Sequence, residues 1–257
     1  MPEPLYTLKD VSFSYSENIL ALNGLDLTIG KGERIALIGA NGTGKSTLLG
    51  LLDALQFPSS GTIEALGRTL TERAMNDAAF QRQFRSAVGF VFQNPDIQLF
   101  CPTVREDIIF GPLQLGVDKT EIVRKLDEIA SRLRIAHLLD RSPFQLSIGE
   151  KKKIAVASVL IIAPDVLLLD EPTAGLDPRT TRDIMDVLDE EHSKGKTIIM
   201  ATHDLHIVEE IADTVHVFGS DKKIIRSGTA EEILTDHIFL QENNLMHSHV
   251  SRYLHQK

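Results

Sequence analysis

A single cysteine, Cys101, stands in a chain of 257 residues. No disulfide can form within the chain, which fits a reducing compartment. Without a partner, Cys101 is expected to be a structural side chain. Basic charge is also scarce. Twenty-seven Lys and Arg face 36 Asp and Glu, a formal net charge of −9. That balance argues against nucleic-acid binding through a basic surface, although it leaves room for a local basic patch. Long apolar runs are missing too. The longest, "IAVASVLIIAP" from Ile154 to Pro164, is well short of the ~20 residues that span a bilayer, and it ends at a proline. The opening "MPEPLYTLKD" has no basic n-region and no apolar h-region, so no secretory signal is expected. The chain is expected inside the cell, with any membrane role exercised through a partner. Neither a repeat nor a low-complexity linker interrupts it.

What is present reads as α/β. Hydrophobic residues at 42% and charged residues at 25% suit one large globular domain or two modest ones. "LYTLKDVSFSY" alternates like an edge strand, with "LDLTI" as its hairpin partner. "RIALIG" is a short apolar run of the buried-strand kind, followed by a glycine-rich turn and a helix over "KSTLLGLLDAL". "GTIEAL" and "AVGFVF" read as strands separated by a helix over Arg73–Phe84. From Gln93 to about Pro112 comes a stretch marked by Pro and Gly. "DKTEIVRKLDEIASRLRI" then has helical spacing at Ile122, Val123, Leu126, Ile129 and Leu133, with Asp118 and Glu121 placed as a capping box. Ser147 and Glu150 form the same pattern ahead of a second apolar helix. This region reads as a helical insertion into an α/β core. The core resumes with "VLLLD" as a buried strand and "RTTRDIMDVLDEEHSKG" as a helix stopped by Gly195. "TIIMATHD" is another buried strand and "DLHIVEEIAD" a short helix. "TVHVF" and "KIIRSG" form a hairpin around "GSDK", and the stretch from Thr229 begins as helix.

Three motifs carry chemistry. "GANGTGKST", Gly39 to Thr47, matches G-x-x-x-x-G-K-[ST] between a strand and a helix. Its glycines let backbone N–H groups converge on phosphates. Lys45 can reach the β- and γ-phosphates, and the Ser46 hydroxyl can bind Mg²⁺. "VLLLDEP" is a strand ending in two acids. Asp170 suits the Mg²⁺ shell beside a P-loop, and Glu171 suits polarising a water for in-line attack. His203 closes another buried strand, at the carboxyl edge where open parallel sheets place ligands. The helix start at Ser147 is a second anion-binding end, because free N–H groups and the helix dipole point outward there. The lysines after it, "EKKK", read as a solvated first turn.

Taken in order, Tyr15, "GANGTGKST", Gln93, "LSIGE", "LLLDEP", "AGLD" and His203 resemble the ATP-binding-cassette ATPases over about Leu5 to Thr229. The resemblance implies a P-loop NTPase core with an antiparallel β subdomain and an inserted α-helical subdomain at about 94–163. The ATPase domain would span 1–235, leaving 236–257 as a C-terminal tail. It implies ATP and Mg²⁺ as cofactors, and a head-to-tail dimer with two ATP molecules between the subunits. By that resemblance Tyr15 stacks on adenine, and Gly39, Asn41, Gly42, Gly44, Lys45, Ser46 and Thr47 hold the phosphates. Ser46, Gln93 and Asp170 surround Mg²⁺, with Gln93 also sensing the membrane partner. Glu171 is the general base, and His203 contacts the γ-phosphate. Ser147, Gly149 and Glu150 face the partner's ATP, and Asp177 couples the two sites. Ile148 departs from the family, which usually has glycine there. A branched side chain is expected to restrict the backbone and reduce, without abolishing, hydrolysis.

A finer resemblance lies in "VFQNPDIQLFCPTVREDIIFGPLQLGV", Val91 to Val117, together with the lysine run. It is similar to the energy-coupling-factor branch, particularly the cobalt and nickel importers. This implies a peripheral subunit on the cytoplasmic face of the cell membrane. Its partners would be a second ATPase subunit, with a homodimer as the default, an integral membrane coupling protein and a substrate-capture membrane protein. No nucleic-acid partner is expected. An ATPase for vitamin uptake or for export is the alternative, and a soluble ATPase of nucleic-acid metabolism is the more distant one. His247, His249 and His255, in "MHSHVSRYLHQK", are expected to belong to a frayed surface terminus rather than a metal site.

Overall fold

The computed structural model describes residues 4–16 and 19–246. The histidines of the C-terminal stretch lie outside them. In chain order the first half forms strands β1 (Pro4–Ser14), β2 (Leu20–Gly30) and β3 (Arg34–Gly39), then helix α1 (Lys45–Leu52) and strands β4 (Ser60–Ala65) and β5 (Arg68–Thr69). Helices α2 (Glu72–Met75) and α3 (Ala78–Ala87), strand β6 (Val88–Val91), and helices α4 (Val104–Gln114) and α5 (Lys119–Arg132) follow. The second half forms α6 (Ile148–Leu160), β7 (Val166–Asp170), α7 (Pro178–Ser193), β8 (Thr197–Ala201), α8 (Leu205–Ile211), β9 (Thr214–Phe218), β10 (Ile224–Thr229), α9 (Ala230–Leu234) and α10 (His237–Glu242).

The chain divides into two compact units, residues 1–71 with 201–257, and residues 72–200. In the first unit a four-stranded antiparallel sheet runs β2-β1-β4-β5. β1 was expected at an edge and is an inner strand, bonded to β2 on one side and β4 on the other. Its alternation reflects one buried face rather than a free edge. A second sheet places β9 between β3, which runs parallel to it, and the antiparallel β10. α8, α9 and α10 close over this sheet through a cluster that includes Ile38, Val208, Val217, Ile233 and Leu240. Leu240 is fully buried and Leu245 and Met246 pack beside it. Packed chain thus continues past residue 235.

In the second unit β6 and β7 pair in parallel, with β8 beside β7. Every residue of β7 and β8 is buried, as continuous apolar runs require. The insertion expected at 94–163 lies inside this unit. Two elements differ from expectation. The helix expected over Arg73–Phe84 breaks after Met75, where Asp77 caps a new helix by accepting from Ala79 N and Phe80 N. The Pro- and Gly-marked stretch contains the eleven-residue α4. Thr103 caps α4, and Pro112 falls in its last turn, where it forgoes the bond its own N–H would make to the preceding turn while its carbonyl still accepts from Val117 N at 3.0 Å. Asp118 caps α5 as expected, but Glu121 pairs with Lys125 at 3.0 Å instead of completing a box.

Candidate nucleotide-binding residues and signature helix

In the first unit β3 delivers the chain into the glycine loop, and α1 starts at Lys45. Gly44 sits at φ 108°, and a Cβ there would lie 2.3 Å from the Ala21 carbonyl oxygen. Only glycine satisfies both conditions. Lys45 is buried, and its Nζ donates to the carbonyls of Gly39 (2.7 Å) and Ala40 (3.1 Å). The ammonium is thus held over the mouth of the loop. Thr43 Oγ1 donates to Ala40 O at 2.9 Å. From the β9–β10 turn, Lys222 Nζ donates to Gly42 O at 2.6 Å. Sequence reasoning did not single out Lys222, because its 180-residue separation from Gly42 carries no local signal.

Tyr15 and His203 belong to the same unit. Tyr15 is 56% exposed, stands edge-on to Phe13 with centroids 5.1 Å apart, and shares a 3.0 Å hydrogen bond with Thr47 Oγ1. Its ring face is therefore presented beside the start of α1. Thr202 N donates to Leu37 O at 3.1 Å, so the exposed His203 follows directly from a residue tied to β3, the strand of the phosphate loop. Asp204 then caps α8. The unit brings together Tyr15, the loop Gly39–Thr47 (with Asn41, Gly42 and Ser46 exposed) and His203.

In the second unit Leu169 pairs with Val91 in parallel register. Gln93 and Asp170 therefore leave the same end of adjacent strands. Gln98, which sequence reasoning passed over, fixes this exit. Its Oε1 accepts from Phe92 N, and its Nε2 donates to Ala155 O and Ser158 Oγ on α6. Asp170 and Glu171 are both buried. Glu171 has φ 46°, a left-handed conformation that costs a non-glycine residue about 1–2 kcal/mol.

The start of α6 is the capping box the sequence suggested. Ser147 N and Oγ donate to Glu150 Oε2 at 2.9 and 2.8 Å, and Glu150 N donates to Ser147 Oγ at 3.3 Å. The Ser147 backbone N–H holds the Glu150 carboxyl below its usual range. Ser147 and Ile148 are exposed. Ile148 occupies the first helical position with no left-handed backbone, so a branched residue fits there without strain. The restriction expected from its Cβ therefore has no counterpart in the backbone of this chain. A Cβ on Gly149 would meet Thr180 Cγ2 at 3.3 Å, so glycine lets α6 approach the start of α7 closely. Asp177 caps that start by accepting from Arg179 N and Thr180 N, both at 3.0 Å. The bond from Thr180 N leads in holding the Asp177 carboxyl below its usual range.

The lysine run is not solvated as expected. Lys151 pairs with Asp96 at 2.7 Å and Lys153 with Asp183, each lysine side chain at most 15% exposed. Lys152 is buried, and its Nζ donates to the Glu171 carbonyl. Burial lowers its pKa. The register of three tandem lysines on a helix sends each to a different neighbour, which composition alone does not reveal.

A face of the same unit is apolar and open. Ile97, Phe100, Phe110 and Leu113 are 42–64% exposed, and Phe100 meets Phe110 edge-on at 5.0 Å. Asp107 Oδ1 shapes the turn beneath by accepting from Phe100 N (3.0 Å) and Cys101 N (2.9 Å). Desolvation, reinforced by Asp107, pushes the Cys101 thiol up to about 11, which keeps it protonated and fits a structural role. Among the described residues no helix is long and apolar enough to cross a membrane.

Residues 22–174 match the family model "ABC transporter". The nickel import ATP-binding protein NikO of Rhodobacter capsulatus is 48% identical over 95% of this chain and 96% of its own length. The energy-coupling factor transporter ATP-binding protein EcfA of Methanocaldococcus jannaschii is 39% identical over 92% of this chain and 83% of its own. Among solved structures, CbiO1 of Clostridium perfringens, described as part of the ABC transporter complex cbiONQ, superposes with a TM-score of 0.79. It is 35% identical and covers 97% of this chain and 98% of its own. The chain belongs to the ABC transporter ATPases, on the energy-coupling-factor side of that family, and hydrolyses ATP in a reaction coupled to transport.

Proposed function

We propose that this chain is the ATPase subunit of a membrane importer and works as one half of a head-to-tail dimer. The observation that carries this reading is the exposed, capped start of α6. The chain already has a phosphate loop at Gly39–Thr47, and the signature Ser147–Glu150 offers a second anion-binding end open to solvent. A second subunit's ATP is the natural occupant, since a γ-phosphate in transfer needs donors on more than one side. Because the site set is on one chain, two copies make two working sites with twofold symmetry.

In that dimer Tyr15 stacks on adenine. The loop N–H groups of Gly39, Asn41, Gly42 and Gly44 and the Lys45 ammonium hold the phosphates, with Thr47 at the base of the loop. Ser46, Gln93 and Asp170 supply one hydroxyl, one amide and one carboxylate oxygen. This hard-oxygen set suits Mg²⁺, which favours one or two carboxylates with substrate phosphates and water. The ion would neutralise charge on the β- and γ-oxygens. Glu171 orients and deprotonates the attacking water, and His203 donates to the γ-phosphate. Ser147, Gly149 and Glu150 close over the partner's ATP, and Asp177 links the two sites by holding α7 against the signature helix. The ATPase domain takes in the insertion at 94–163.

The open apolar face around Phe100 and Phe110 suits a helix of an integral membrane coupling protein, itself paired with a substrate-capture protein. The subunit then sits peripherally on the cytoplasmic face, with no nucleic-acid partner. Cobalt or nickel is the proposed cargo, supported by the 48% identity to the nickel import protein and by the likeness to CbiO1. A vitamin importer of the energy-coupling-factor type is the second reading, favoured by the likeness to EcfA. The test is a tagged pull-down from membranes in mild detergent. A multi-spanning partner with a small capture protein supports the importer reading and directs the uptake assay to metal or vitamin. Recovery from the soluble fraction alone overturns it.

A further inference from the structure

We infer that Lys152 is a positioning residue for ATP hydrolysis, holding the backbone of Glu171 in the conformation that aims its carboxylate. The inference rests on the proposed role of Glu171 as general base. Glu171 adopts φ 46° and precedes Pro172. Each is unfavourable by itself. A side chain disfavours the left-handed region, and a following proline steers the residue before it toward extended backbone. Such a residue persists only where its surroundings over-determine it. Its carbonyl accepts from Ala174 N at 3.3 Å and from the Lys152 ammonium. The first is long and local. The second is charge-assisted and buried, and it comes from α6, less than two turns beyond Ser147. Burying an ammonium is costly unless it is paired and hydrogen-bonded, and Lys152 has this carbonyl together with the charge of the nearby Glu171 and Asp170 carboxylates. Lys151 and Lys153 cannot substitute, since they face Asp96 and Asp183. If the Lys152 bond is lost, the turn can relax toward extended backbone and swing the Glu171 side chain away from the water. The bonds that hold the glycine loop come from Lys45 and Lys222 and do not involve Lys152.

The experiment compares wild type with Lys152→Met, Lys152→Arg and Glu171→Gln in the full chain. Steady-state ATP hydrolysis and ATP-driven dimerisation by size exclusion are measured under Mg–ATP. Lys152→Met, which keeps length without the donor, is expected to lower kcat at least tenfold with KM for ATP within twofold. It should also accumulate the ATP-bound dimer, as is expected of Glu171→Gln. Lys152→Arg, which keeps a buried donor, should recover a large part of kcat. A merely structural lysine would lower the melting temperature of Lys152→Met and leave its kcat near wild type, and that result overturns the inference. Loss in KM rather than kcat also overturns it. If Lys152→Met does not fold, Lys152→Leu, which also lacks the donor, is read by the same split of kcat from KM. A Glu171→Gln variant that still hydrolyses ATP defeats the general-base reading itself. Inactive Glu171→Gln beside active Lys152→Met defeats only the inference.

Discussion

Lowering the pH should loosen the sheet that carries the phosphate loop, and His216 sets the window. His216 lies on β9, opposite Leu37 of β3 and Ser227 of β10. It is 7% exposed, and its Nδ1 lies 2.7 Å from Ser227 Oγ. Burial pushes its pKa from 6.5 down to about 4. A buried neutral imidazole binds its proton more weakly folded than unfolded. The stability it permits is therefore whole above about pH 6.5 and is lost as pH falls toward about 4. At roughly 1.4 kcal/mol per pH unit the full loss is about 3 kcal/mol, of which about 2 kcal/mol falls between about pH 7.5 and pH 5. Against a typical total of about 5–15 kcal/mol that is large. The depressed carboxylates act lower. For Glu191, burial opposes ionisation, but Lys194 and Arg132 outweigh it and hold the group below its usual range. Its contribution is present above about pH 4.3 and fades as pH falls through the lowered value. The assay is urea unfolding followed by circular dichroism from about pH 7.5 to pH 5, in wild type and in His216→Gln, which is neutral throughout. The wild type should lose about 2 kcal/mol relative to the variant across that range. A difference that stays flat within about 0.5 kcal/mol refutes the reasoning.

Three further outcomes are expected. Gly44→Ala should abolish ATP binding measured by fluorescent-nucleotide titration, because its Cβ would lie 2.3 Å from Ala21 O at a left-handed φ. Ile148→Gly should leave the monomer within about 1 kcal/mol of wild type, as for a helix-terminal glycine, and raise turnover if the side chain crowds the partner's phosphate. Unchanged turnover removes crowding as an explanation for this departure. Glu150→Gln keeps an acceptor for Ser147 while removing a negative charge from the helix start. The ATP-bound dimer should then form at a several-fold lower ATP concentration by size exclusion, and a higher requirement would contradict the anion-site reading of α6.

The sequence exposed those features whose physics is local. The strand–glycine loop–helix at Gly39–Thr47, the capping box of Ser147 and Glu150, and the strand ending at Asp170 each declare themselves within about ten residues, and each is found as expected. Misreadings occur where distant packing decides. β1 reads as an edge from its alternation alone, yet its second neighbour, β4, lies more than forty residues on. α4 was hidden because Gly111 and Pro112 suggest a break, while the cap that starts the helix, Thr103, follows a proline. The lysines after the signature look solvated in composition, yet each has a defined partner. Lys222 and Gln98 reach their acceptors across 180 and 57 residues, and no pattern along the chain announces such bonds.

The same distinction separates what this chain says about ATP from what it says about cargo. The groups proposed to meet nucleotide are short motifs whose roles follow from phosphate chemistry, and they would serve any transported substrate. No cluster of three or more metal-ligating side chains occurs among the described residues. The face proposed to meet the membrane partner is instead apolar: Ile97, Phe100, Phe110 and Leu113 are exposed, and Asp107 shapes the turn beneath Phe100. An apolar platform recognises the shape of a docking helix, not an ion or a vitamin. Selectivity for cargo would then arise in the membrane chains, and this subunit would recognise its transporter through the Phe100–Phe110 face. Phe110→Asp should accordingly uncouple uptake from hydrolysis, leaving basal ATP turnover in detergent near wild type while abolishing co-purification of the membrane partner. A partner that still co-purifies would move the docking surface elsewhere on the chain.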